Sequence, residues 1–106
     1  MSELGTRLIE ILGRSRTRAR FVPELTRQSA APQAEVEQAI SDLEADGRVL
    51  MREQYCPDPH LEGVDLRIVA LIQRDESGDA VATANDSIEA TWQRWLGDYL
   101  ANHRCT

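Results

Sequence analysis

The sequence predicts a mainly α, α+β fold in which helices lead into one small antiparallel β-hairpin and an extra C-terminal helix follows. Three observations carry this. Val36, Ala39, Ile40 and Leu43 fall at the i, i+3, i+4, i+7 spacing that lines one face of a helix. After Gly47 the apolar period shortens to two, the repeat of a strand. Near the end, Ile88, Trp92, Trp95, Leu96, Tyr99 and Leu100 form a broad apolar stripe at helical spacing.

The elements follow in order. Leu4, Leu8, Ile11 and Leu12 predict a first helix over about Ser2 to Leu12, ended by Gly13 as a left-handed terminator. Arg14 to Arg20 alternates arginine with small residues and reads as a loop or a short extended strand running into Phe21 and Val22. Pro23 suits the first turn of a helix, where its missing N–H has no partner to lose, so a second helix is expected over Pro23 to Ser29. Ala30 and Ala31 make a tight turn, Pro32 opens the third helix, and Gly47 ends it.

The hairpin is then expected to pair Val49–Tyr55 with Val64–Ile72. In the second of these strands Leu66, Ile68, Ala70 and Ile72 should share one face, against Arg67 and Val69 on the other. The prolines at 57 and 59 put residues 56–63 in a loop. Residues 75–86 read as a linker, and Asp86 with Glu89 as a capping box that starts the last helix. The chain thus divides into 1–74, a linker at 75–86 and a C-terminal helix at 87–106.

At 106 residues, 42% hydrophobic and 28% charged, the chain has the composition of one soluble globular domain. No apolar run approaches the length of a membrane span, which predicts no membrane partner and a cytoplasmic protein. Cys56 and Cys105 are too few for a disulfide scaffold. Every basic side chain is arginine. Six of the twelve arginines lie in residues 1–27 against three acids, whereas the remaining six face fifteen acids, so a basic end joins an acidic body.

The order of helix, short strand, helix, tight turn, helix and hairpin resembles the winged helix-turn-helix family over Phe21 to Ile72. The residues that carry the resemblance are Val22–Leu25 in the second helix and Val36–Val49, where the third helix passes into a wing strand. The resemblance implies that the third helix enters the DNA major groove. Carried over by position, Gln33, Glu37, Gln38 and Ser41 would face bases, and Arg14, Arg16, Arg18, Arg20 and Arg27 would hold phosphates. The expected function is a DNA-binding transcriptional regulator acting on double-stranded DNA.

Charge supports an alternative. Residues 32–47 contain Glu35, Glu37, Asp42, Glu44 and Asp46 without one basic residue, and the wing adds Asp58, Glu62 and Asp65. DNA affinity comes largely from neutralising phosphates, so this face could instead be an acidic docking surface for a protein partner. The arginines could equally pair with acids of the body.

The last helix holds three of the five aromatic residues. Its stripe either packs on the first helix of the same chain or forms a homodimer seam through Ile88, Trp92, Trp95, Leu96 and Tyr99; the aromatic area favours the seam. Cys56, His60, His103 and Cys105 could make a zinc site only if the wing met the C-terminus, and their spacing is not that of a zinc finger, so no metal is expected. No nucleophile elbow, phosphate-binding glycine loop or zinc-protease helix is present, and neither enzymatic activity nor a cofactor is expected.

Overall fold

The structure, a computed structural model, describes residues 3–54, 65–72 and 80–102. Its elements are α1 (Glu3–Arg14), β1 (Ala19–Phe21), α2 (Val22–Ser29), α3 (Gln33–Ala45), β2 (Val49–Glu53), β3 (Arg67–Leu71) and α4 (Ala80–Asn102). The strands form one antiparallel sheet in the order β1-β3-β2.

The prolines and the turns set the helix boundaries. Pro23 sits in the first turn of α2, as its missing donor allows. Pro32 lies one step further out than expected: it is the residue preceding α3, extended at ψ 144°, and its carbonyl accepts the Val36 N–H at 3.1 Å. Ala30 ends α2 in the left-handed region at φ 55°, donating its N–H to the Arg27 carbonyl. Gly47 ends the turn after α3 at φ 71°, a conformation that glycine adopts without a side-chain clash.

Gly13 does not terminate α1. It lies within the helix, which runs on to Arg14 before Ser15 N–H donates to the Leu12 carbonyl. The left-handed residue of that connection is Arg18, at φ 58°.

Both faces of the sheet are covered, which the simple alternation did not anticipate. On one side Val49 and Val69 pack with Leu8, Leu12, Leu25 and Ile40 from α1, α2 and α3. On the other, Ala19, Leu66, Ile68 and Ala70 pack with Ala84, Ile88 and Trp92 of α4. Val69 is therefore as buried as its neighbours Ile68 and Ala70. Full burial of one such aliphatic side chain contributes about 1.5–3 kcal/mol, so both layers stabilise the fold.

α4 starts at Ala80, not at Asp86, and the second half of the expected linker is helical. Ala84 extends the apolar face by one turn ahead of Ile88 and is buried, while Asp86 is an exposed residue of the helix body. Ile88 and Trp92 of the stripe pack on the sheet and not on α1, where Ile68 and Ala70 present an apolar face that, among the described residues, α4 covers. Asp75–Asp79 of the linker lie outside the described residues, as do Tyr55, Val64, the wing loop 56–63 and the four residues of the candidate zinc set.

Candidate nucleic-acid interface

α3 buries Val36, Ala39, Ile40 and Leu43 and turns Gln33, Gln38, Ser41 and Asp42 outward. The outer face is thus built by the same period that builds the core. Gln38 Nε2 donates to Asp42 Oδ1 at 3.1 Å, one turn along the exposed side. An exposed pair of this kind contributes only about 0.2–0.5 kcal/mol, so the amide is readily released to another partner.

Glu37, expected to face bases, is engaged within its own chain. Its carboxylate accepts a hydrogen bond from Arg67 Nη2 of β3. Arg67 also holds Asp65, with Nε donating to Oδ1 at 2.9 Å and Nη2 to Oδ2 at 2.6 Å. The hydrogen bond from Arg67 and then its charge hold the Glu37 carboxyl below its ordinary range, and Gln33 adds a further hydrogen bond. The same guanidinium lowers Asp65, chiefly by hydrogen bonding and against the effect of partial burial. Arg67 in turn is raised above its ordinary value, first by Asp65 and then by Glu37. Gln33, Glu37, Arg67 and Asp65 form one network joining the start of α3 to the wing strand.

The expected phosphate contacts do not form one cluster. Val49 pairs with Leu71 and Glu53 with Arg67, so the hairpin connection leaves from the Arg67 end. At the other end the Arg18 carbonyl accepts the Leu71 N–H at 2.9 Å and the Arg48 carbonyl accepts the Ile72 N–H at 2.8 Å. Arg18 and Arg48 therefore sit at the end of the sheet remote from the connection, with Arg14 and Arg16 in the chain leading there from α1. Arg27, on the last turn of α2, lines a recess with Asp65 and Leu66 and so stands on the Arg67 side. Arg20 is committed to Glu24 at 3.1 Å, and Arg27 reaches the same carboxylate at 4.0 Å. Among the described residues Arg14, Arg16, Arg18 and Arg48 make no ion pair.

The residues expected at a dimer seam are divided. Ile88 is 2% exposed, Trp92 7% and Tyr99 9%, and Ile88 and Trp92 pack against the sheet of their own chain. Trp95 and Leu96 are half-buried beside them, and Leu100 is 54% exposed. Sequence reasoning missed Arg67. The only signal was an arginine amid Leu66, Ile68, Val69 and Ala70, with Asp65 the one other charge in the expected strand. Among the described residues no group of three or more His, Cys, Asp and Glu is placed to hold a metal ion. No described helix is long and apolar enough to cross a membrane.

No protein-family model matches the chain, and no curated protein matches it. Solved structures share its fold, three of them transcriptional regulators or possible ones. A possible transcriptional regulator from Methanosarcina mazei superposes with a TM-score of 0.58 at 11% identity, over 99% of this chain and 81% of that one. A MarR family transcriptional regulator from Streptomyces coelicolor gives 0.54 at 14% identity, over 98% of this chain and 71% of that one. A second MarR family regulator from Streptomyces coelicolor, solved in complex with DNA, gives 0.56 at 18% identity, over 95% and 68%. With four helices and a three-stranded antiparallel sheet among the described residues, and with these neighbours, the chain has the winged helix-turn-helix fold.

Proposed function

We propose that the chain is a cytoplasmic DNA-binding transcriptional regulator that works by binding and not by catalysis, with the outer face of α3 laid against duplex DNA. The observation that carries this reading is the side of α3 that the core leaves out: Gln33, Gln38 and Ser41 lie on one helix held against the wing strand by Glu37 and Arg67. Amide and hydroxyl side chains can pair with base edges in the major groove. A fold neighbour solved with DNA adds support.

In this reading Glu37 positions the helix and does not read a base. Arg27 supplies the phosphate contact on the wing side, and Arg14, Arg16 and Arg18 can meet the backbone only from the far end of the sheet. A homodimer would use the outward edge of α4, at Trp95, Leu96 and Leu100, since the rest of the stripe is core.

A second reading has its own observation. The exposed residues of α3 include Glu35, Asp42 and Glu44 with Asp46 just beyond, and no arginine lies among them. Such a face suits a basic protein surface. Measuring binding to duplex DNA as salt is varied separates the two. The regulator reading expects log affinity to fall with log salt at a slope of about −0.9 for each phosphate neutralised. No duplex binding even at low salt, where charge attraction is least screened, would overturn it in favour of the protein-docking reading.

A further inference from the structure

The end of the sheet remote from the Glu37–Arg67 contact carries a basic surface of its own. The Ile72 and Leu71 N–H groups donate to the Arg48 and Arg18 carbonyls at 2.8 and 2.9 Å, so these two arginines flank the end of β3 from its neighbouring strands. Both are exposed, as are Arg14 and Arg16 in the chain from α1. Among the described residues none of the four makes an ion pair, either with Glu10 and Asp46, the exposed acids nearest in sequence, or with any other acid. On a chain of net charge −6 this end therefore holds a surplus of unneutralised positive charge.

The loop that carries Arg16 and Arg18 is held in place. Ser15 Oγ and Thr17 Oγ1 donate to the Ala19 carbonyl at 3.2 and 3.3 Å, and the Thr17 and Thr91 hydroxyls hydrogen-bond at 2.7 Å and tie the loop to α4. Arg18 itself stands at φ 58°, in the left-handed region where glycine is cheaper than any long side chain. A guanidinium kept at such a position fits a use for its head group outside the chain.

Beside Arg48 lies a recess of about 220 Å³, lined by Ile9, Gly47, Arg48, Leu71 and Ile72. Ile9, Leu71 and Ile72 are half-buried, so aliphatic carbon stays open to solvent next to the guanidinium. This juxtaposition decides the class of partner. A nucleic-acid backbone is held by charge and hydrogen bonds and has no aliphatic group to place in the recess. A protein contact combines an apolar anchor with a polar, charged rim.

We propose that this end of the sheet docks an acidic segment of a partner protein, with one aliphatic side chain of that segment in the recess and its carboxylates facing Arg18 and Arg48. The site shares no residue with the outer face of α3 and lies at the other end of β3 from Arg67, so the proposal stands or falls independently of DNA binding.

The test uses the full chain and a short synthetic peptide of Asp and Glu with one central Leu, followed through backbone amide signals in nitrogen–proton correlation spectra at low salt. The amides of Ile9, Arg18, Arg48 and Ile72 should move saturably. Replacing the peptide Leu by Ser should weaken binding by about tenfold or more, since burial of one aliphatic side chain is lost. Arg48→Gln should weaken it by about two- to fivefold, as expected for one exposed ion pair, whereas Arg52→Gln on β2 should bind as the unaltered chain does. Arg18→Gly is the sharper variant: the backbone keeps its conformation, so the urea midpoint should hold or rise while peptide binding falls by about the same two- to fivefold. No saturable shift up to about 1 mM peptide, equal binding of the Leu and Ser peptides, or equal losses in Arg52→Gln and Arg48→Gln would each overturn the proposal. So would the same four amides moving at lower concentrations of duplex DNA than of peptide, which would make the surface a nucleic-acid contact, or moving when the chain alone is concentrated, which would make the occupant a second copy.

Discussion

Arg67 of β3 holds Glu37 of α3 across 30 residues of sequence, and through it the wing strand fixes the start of the third helix. The Asp65 carboxylate accepts from Nε of the same guanidinium and shares its Nη2 with Glu37. Both acids have depressed folded-state values, so the unfolded chain binds more protons than the folded one in the acid range. Their contribution is present above the ordinary carboxylate range near pH 4 and is lost as pH falls through the lower folded values. Urea midpoints measured from pH 6 to pH 3 should fall, and Glu37→Gln should flatten part of that fall. A variant with the same acid limb as the unaltered chain would show that the pair is not the cause.

The same network should separate positioning from reading. Arg67→Gln removes the clamp without touching the outward face of α3, so it should weaken duplex binding to preferred and unrelated sequences alike. Gln38→Ala should cost mainly the preferred sequence, by about 1–3 kcal/mol. Competition assays with both duplexes distinguish the two patterns.

Asp42 stands on the exposed side of α3 and holds Gln38. If that side faces phosphates, Asp42→Asn removes a repulsive charge, and duplex affinity should rise by a few-fold at low salt. A basic protein partner would be bound more weakly by the same variant. The direction of the change decides between the readings.

Ala30 closes α2 at φ 55°, where an L side chain crowds the backbone. Ala30→Gly removes that clash and offsets it with a more flexible unfolded chain, so a net gain of roughly 0.5–1 kcal/mol is expected in the urea midpoint. The residue is exposed, and no packing is lost. A destabilised variant would contradict the expectation.

Trp92 and Leu100 test the two roles of α4. Trp92 is 7% exposed and packs on the sheet, so Trp92→Ala should cost about 3–5 kcal/mol. Leu100→Glu should leave stability nearly unchanged, because the side chain is largely in solvent. If the chain dimerises through the outer edge of α4, sedimentation should show Leu100→Glu as a monomer.

The sequence by itself determined the elements whose cause is local. The spacing of Val36, Ala39, Ile40 and Leu43, the prolines at 23 and 32 and the change of period at Gly47 each act within a few residues of where they stand. They specify α2, α3 and the hairpin, and with them the fold. Local propensity also misled, as at Gly13, which α1 absorbs, and at Ala80–Asn85, which Ala84 draws into α4 by reaching the core. Tertiary structure alone decided what depends on distant partners: that α4 covers the sheet and turns Ile88 and Trp92 into core, that Glu37 meets Arg67, and that Thr17 meets Thr91 across 74 residues. It also split the arginines, because the register of β3 leaves Arg18 at one end of the sheet while α2 carries Arg27 to the side of Asp65 and Leu66. Periodicity tells a side chain which face of its own element it occupies. Only packing tells it what lies opposite.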